Sequence, residues 1–375
     1  MEFIKRNNLG DLKKILNKGR YDKILIITGK NSFIKSGAKK ILSNLLKKKK
    51  VKFFYKKLKV PDFRELKKAI ILIKFFKPNL IVSIGGGATL DLSKIANVLY
   101  NVENLEKKIL INNYYIKKRY CDLIAIPTTA GSGAEVTTNA VLYVKNKKFS
   151  IEDDLIKPNH SFIFPELVTS NTFKNKASSA FDALSQAVES LISVRSSEKS
   201  VRFSIKSIKF FLENYNSYVK SNNLSNTYSM CLSAYYSGKA ISITKTTAPH
   251  AVSYPFTSFF GVDHGHAVSL TLAEFLKFNY DNRHKSITNF NLIKRYEILF
   301  NLFKVKNIGE FVNKLNEIKN IFELENNLIK INRNIPNKID LILSNVNVQR
   351  LTNNPVRVTR KNIMNILKQK IKDKK

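Results

Sequence analysis

Apolar positions in the first 165 residues fall into short unbroken runs separated by stretches in which they recur every three or four residues. KILIITG (23–29), VKFFYKKL (51–58), NLIVSIG (79–85) and LIAIP (123–127) read as strands. NLIVSIG is too uniformly apolar to alternate, and apolar strands divided by amphipathic helices are expected of a parallel sheet covered on both sides. Between them, residues 32–48 have helical spacing. A second helix opens at Pro61–Asp62, where Asp62 reads as the cap and Glu65 as the far half of a capping box; Phe63, Leu66, Ile70 and Ile73 share its inner face, and Pro78 ends it. After Phe164–Pro165 the pattern becomes helical throughout, over 172–194, 199–219, 226–243 and 266–280. The reading is a doubly wound α/β domain over 1–165 followed by an all-α domain over 166–375. The closing KQKIKDKK is expected to be a solvated helix end.

Charge alters this picture less than its size suggests. The chain carries 65 Lys and Arg against 28 Asp and Glu, a formal net charge of +37. The lysines are spread over every segment together with many Asn and Ile, and no nucleic-acid-binding motif accompanies them. No specific nucleic-acid partner is therefore expected, although the basic field would attract a small anion. Cys121 and Cys231 have neither metal nor redox spacing and read as core thiols of a reducing compartment. MEFIKRNNLGDLKKILNKGR lacks the apolar centre of a signal peptide, and no apolar run approaches the ~20 residues of a membrane span, so a soluble, cytoplasmic protein without a membrane partner is expected.

Three stretches carry candidate chemistry. Gly85, Gly86 and Gly87 stand between a buried strand and a helix, where bare backbone amides and the helix start can bind phosphate. Asp91 and Lys94 follow one turn apart. A second polar glycine turn, Thr128-Thr129-Ala130-Gly131-Ser132-Gly133, also follows a strand, so the two loops could enclose a dinucleotide without the usual GxGxxG spacing. In the helical half, Asp182, Gln186 and Glu189 form one polar stripe among small and apolar neighbours, suited to a cleft wall. Further on, KTTAPHAVSYPFTSFFGVDHGHAV holds three of the chain's five histidines, including His250 and His264, in a setting that suggests a metal site.

GGGATLDLSK, IPTTAGSGAEVT, FDALSQAVES and HAVSYPFTSFFGVDHGHAV occur in the order seen in the iron-containing (group III) alcohol dehydrogenases, relatives of glycerol dehydrogenase and dehydroquinate synthase, and the chain resembles that family over nearly its whole length. The resemblance implies the dehydroquinate synthase-like pairing of a nucleotide-binding domain with a helical domain across a cleft. NAD(P)H would lie on Gly85–Gly87, Asp91, Lys94, Thr128, Thr129 and Ser132. A divalent metal, Fe2+ or Zn2+, would be held by Asp182, His250 and His264, and Gln186 stands where the alcohol dehydrogenases usually have a fourth, histidine ligand. Tyr254 replaces a further cleft histidine of many relatives, leaving Tyr254, His266 or water to deliver the proton. Gly29 and Lys30 stand where an aspartate would reject a 2′-phosphate, which points toward NADPH.

The segments around Asp182 and His250 are similar to the phosphonoacetaldehyde reductase branch, which reduces phosphonoacetaldehyde to 2-hydroxyethylphosphonate. Lys245, Thr246 and Thr247 are then the candidate donors to a phosphonate. Reduction of another small aldehyde, oxidation of an alcohol or polyol, and a dehydroquinate synthase-like lyase remain alternatives, as does a non-catalytic nucleic-acid-binding protein. The family resemblance also raises the expectation of a homodimer.

Overall fold

A computed structural model of the protein describes residues 1–18 and 21–371, so the last four residues of the KQKIKDKK run lie outside the described residues. The chain divides into two compact units, 1–171 with 222–231, and 172–221 with 232–375.

The first unit is built on a six-stranded parallel sheet. Its strands are β1 (Glu2–Phe3), β2 (Lys23–Gly29), β3 (Lys50–Lys56), β4 (Leu80–Gly85), β5 (Asp122–Pro127) and β8 (His160–Phe162), in the order β1-β8-β5-β4-β2-β3. Every residue of β4 is buried, flanked by β2 and β5 with Leu80 opposite both Ile24 and Asp122. Leu66, Ile73, Ile95 and their neighbours cover one face; Leu12, Leu16, Leu42 and theirs cover the other. This two-sided burial explains why β2, β4 and β5 read as largely apolar runs, whereas the edge strand β3 is half exposed and keeps its lysines. Gly85 and Pro127 are register partners at the carboxyl edge, so the two glycine loops leave the sheet side by side.

Four local expectations need correction. The helix expected over 32–48 is two, Lys30–Lys35 and Ala38–Leu45, because the chain turns through Gly37 at φ +86°. Asp62 caps the Phe63–Phe76 helix by accepting from Arg64 N at 2.8 Å, but Glu65 does not complete a capping box. Its Oε1 accepts instead from the amides of Lys57 and Leu58, fastening the preceding loop. An antiparallel hairpin, β6 (Asn139–Val144) and β7 (Lys147–Glu152), was not anticipated; Lys145 and Asn146 turn it with positive φ at both positions, a pairing that suits the strand twist. The expected helix 266–280 is divided into His264–Ser269 and Leu272–Asp281.

The second unit is helical over its described residues, as expected. Thr172 caps the Phe173–Ile192 helix, and Ser197 with Ser200 forms a capping box on Glu198–Lys220. Ala248, Val252, Phe256, Phe275, Ile363 and Leu367 belong to its core. Both cysteines are free thiols; burial pushes Cys121 up to about 12 and Cys231 further. Among the described residues no helix is long and apolar enough to cross a membrane.

Candidate functional site

The stripe Asp182, Gln186 and Glu189 is buried, each residue no more than 5% exposed. It faces two other elements of the second unit. The Ala248–Phe260 helix supplies His250, whose Nε2 lies 3.2 Å from Asp182 Oδ1. The short His264–Ser269 helix supplies His264, whose Nε2 lies 3.9 Å from the same oxygen. One donor atom from each of the three residues lies within 4.8 Å of the others, a nitrogen and oxygen set suited to a divalent first-row ion with room for a further ligand.

Gly265 makes this geometry possible. A Cβ there would lie 1.8 Å from the Ser178 carbonyl oxygen, so the short helix rests directly on the backbone one turn before Asp182. His266 N donates to Ser178 Oγ at 3.2 Å and fixes the contact.

Glu189 orients His250. One carboxylate oxygen pairs with His250 Nδ1, and the other accepts from Thr247 N and Oγ1, both at 2.7 Å. The proton on Nδ1 is thereby held on the Glu189 side and Nε2 is aimed at Asp182. Burial alone would lower the imidazole pKa; Glu189 and Asp182 outweigh it and raise it to about 9. A metal ion binding at Nε2 must displace the proton there. Glu189→Gln is expected to weaken zinc binding about 10–100-fold, measured by competition with a chromophoric chelator, since such orienting carboxylates carry effects of that size. Unchanged affinity would deny Glu189 this role.

The other residues singled out in this unit fall into distinct places. Gln186 is one turn beyond Asp182, and its Oε1 accepts from Ser237 Oγ at 3.0 Å. His266 is outside the three-residue group, and its Nε2 meets the Glu325 carbonyl at 2.8 Å. Thr247, expected as a substrate donor, gives both its amide and its hydroxyl to Glu189. Tyr254 is buried, with its ring 5.9 Å from that of His264 and tilted by 26°. Its hydroxyl hydrogen-bonds Thr246 and Arg350. Neither Glu189 nor Arg350 stood out as a site residue in the sequence; Glu189 at least left a trace in the stripe, whereas Arg350 left none.

In the first unit the two glycine loops touch. Gly86 caps the Gly87–Val98 helix, Thr128 N donates to Gly85 O at 3.0 Å, and a Cβ on Gly87 would meet Ser132 Oγ at 2.6 Å. Thr129 lies next to Gly86. Amides at a helix start beside a glycine turn are the kind that can cradle a phosphate. Asp91 and Lys94, on the helix that follows the first glycine loop, make hydrogen bonds within this unit. Lys94 is fully buried and donates to Ala134 O, Thr137 Oγ1 and Asn139 O, while Asp91 Oδ2 accepts from Val141 N. They fasten the segment that follows the second loop. Gly29 ends β2, and Lys30 is exposed at the start of the following helix.

Comparison with known proteins agrees with this architecture. Residues 3–165 match the iron-containing alcohol dehydrogenase family, and residues 176–371 match the C-terminal domain of the Fe-containing alcohol dehydrogenase family. The chain belongs to the iron-containing alcohol dehydrogenases, and the resemblance carried by the four motifs is confirmed. It is 28% identical to the phosphonoacetaldehyde reductase of Streptomyces viridochromogenes over 218 residues, 56% of this chain and 55% of that protein. It is 29% identical to the 4-hydroxybutyrate dehydrogenase of Clostridium kluyveri over 212 residues, 54% of this chain and 55% of that one. The chain thus spans about half the length of these curated relatives. Its fold is shared with the sulfoacetaldehyde reductase of Bifidobacterium kashiwanohense, solved in complex with NAD+, at a TM-score of 0.87 and 24% identity over 100% of this chain and 97% of that one.

Proposed function

We propose that the protein is a metal-dependent, NAD(P)H-linked reductase of a small aldehyde, with phosphonoacetaldehyde as the favoured substrate and 2-hydroxyethylphosphonate as the product. The observation that carries this reading is the convergence of Asp182, His250 and His264, with Glu189 fixing the orientation of His250. A divalent ion held by the three ligands would polarise the aldehyde oxygen. Around it the chain's own groups have separate tasks. Asp182 contributes negative charge and one oxygen. Glu189 keeps Nδ1 of His250 protonated so that Nε2 is available as a donor. The amides of Gly85–Gly87 and the turn from Thr128 to Ser132 would receive the dinucleotide phosphates, and Lys30 would favour the 2′-phosphate of NADPH. In balance, aldehyde, NAD(P)H and one proton give primary alcohol and NAD(P)+, the hydride going to the carbonyl carbon.

The test is oxidation of NADPH and of NADH with phosphonoacetaldehyde, propanal, glyceraldehyde or no aldehyde, before and after chelation and refilling with iron(II) or zinc. Turnover of the phosphonate that disappears on chelation and returns on refilling is expected. Turnover that survives complete metal removal, or none with any aldehyde in protein shown to hold metal and cofactor, would overturn the reading.

A further inference from the structure

We infer that Arg350 receives an acidic group at the far end of the substrate and so makes the enzyme selective for short anionic aldehydes. The inference rests on the aldehyde reductase reading and adds to it a specificity residue and a substrate class.

Arg350 lies in the short Val348–Leu351 helix and is buried, 6% exposed. Its guanidinium hydrogen-bonds the Tyr254 hydroxyl, and the Tyr254 ring lies against the proposed ligand His264. Only one side chain therefore stands between this cation and the metal centre. Asn353, three residues on, donates from Nδ2 to Thr246 O at 3.1 Å, tying this part of the chain to the strip that leads into His250. Lys245, in that strip, is 8% exposed and takes φ +59°, a conformation costly for any residue but glycine. Strain and buried positive charge close to a reactive centre are features that folded chains keep where function uses them.

The chemistry of the ligand follows from that of the side chain. A guanidinium is planar, permanently charged and forked, which matches two oxygens of a phosphonate, sulfonate or carboxylate. Its desolvation is best offset by an anion that shares the low-dielectric site. With the aldehyde oxygen at the metal and the acid at Arg350, the substrate spans about one aromatic side chain, a distance suited to a short carbon chain. The names of the three relatives, a phosphonoacetaldehyde reductase, a 4-hydroxybutyrate dehydrogenase and a sulfoacetaldehyde reductase, each describe a short chain bearing an acidic group. Thr246, which shares the Tyr254 hydroxyl with Arg350, is placed to assist, whereas Thr247 is committed to Glu189.

The experiment compares wild type with Arg350→Gln and Arg350→Lys, each loaded with metal and NADPH or NADH, on phosphonoacetaldehyde, sulfoacetaldehyde, succinate semialdehyde and propanal. The three acids identify the headgroup, and propanal reports turnover without one. The ratio of kcat/KM for the best acid to that for propanal is expected to fall about 50-fold in Arg350→Gln, mainly through KM, and less in Arg350→Lys. Calorimetric titration of NAD+-loaded protein with 2-hydroxyethylphosphonate, 2-hydroxyethanesulfonate and 4-hydroxybutyrate supplies a readout independent of turnover, with binding of the best of the three lost in Arg350→Gln. An equal loss on acid and propanal, or anion binding that persists in Arg350→Gln, would assign Arg350 to propping Tyr254 and overturn the inference. Wild type that reduces propanal as well as every acid would overturn it and leave the reductase reading standing. No turnover of any aldehyde would overturn the reductase reading, and the titration would still decide the role of Arg350.

Discussion

Alanine at position 265 is expected to strip the metal from this protein. The added Cβ would lie 1.8 Å from Ser178 O, 2.8 Å from Ser178 C and 3.0 Å from Asp182 N. All three are backbone atoms of a helix interior and cannot swing aside as a side chain would. The short His264–Ser269 helix must retreat, taking with it His264, whose Nε2 now stands 3.9 Å from Asp182 Oδ1. Overpacking of this kind costs about 1–3 kcal/mol of stability, and loss of one of three ligands should weaken metal binding at least about 100-fold. Metal content after gel filtration in iron(II) or zinc, read beside the thermal midpoint, tests this. A Gly265→Ala protein that keeps one tightly held metal per chain would show that the short helix does not position His264.

The second large effect concerns stability. Lys319 is 1% exposed, and its Nζ has no hydrogen-bond partner among the described residues. Burial, with repulsion from Lys370, lowers its pKa from 10.5 to about 7 against the weaker attraction of Glu274 and Glu325. Between those values the unfolded chain binds a proton that the folded chain does not, so this residue's contribution to stability rises with pH. The penalty is fully present below about pH 7, fades through the interval and is gone above about 10.5, with a size on the order of 4 kcal/mol. Lys319→Met is expected to stabilise the protein by about 2–4 kcal/mol at pH 6, with the advantage shrinking toward pH 10. Urea unfolding of both proteins at pH 6, 8 and 10 measures the difference; an advantage independent of pH would mean that Lys319 reaches solvent.

The parallel sheet was legible in the sequence because strands buried on both faces are apolar at nearly every position, as KILIITG and LIVSIG are. The β6–β7 hairpin was not, since its turn residues, Lys145 and Asn146, resemble any other part of a lysine- and asparagine-rich chain. The break at Gly37 was hidden for a related reason: a single glycine can continue a helix or end it, and packing decides. Asp182, His250 and His264 stood out through residue type and setting. The need for Gly265 is a property of how near another helix comes, which local sequence does not encode. Arg350 was hidden among 65 basic residues, and what distinguishes it is burial beside Tyr254.

The internal bonds of Lys94 bear on the energetics of cofactor binding. With its ammonium fastened to three acceptors along residues 134–139, the segment leaving the turn that would meet the dinucleotide phosphates is anchored before they arrive. A loop ordered only by its ligand surrenders conformational entropy at the moment of binding, whereas here that loss belongs to folding. Cofactor affinity should accordingly reflect the contacts made to the phosphates, with little subtracted for freezing the cradle.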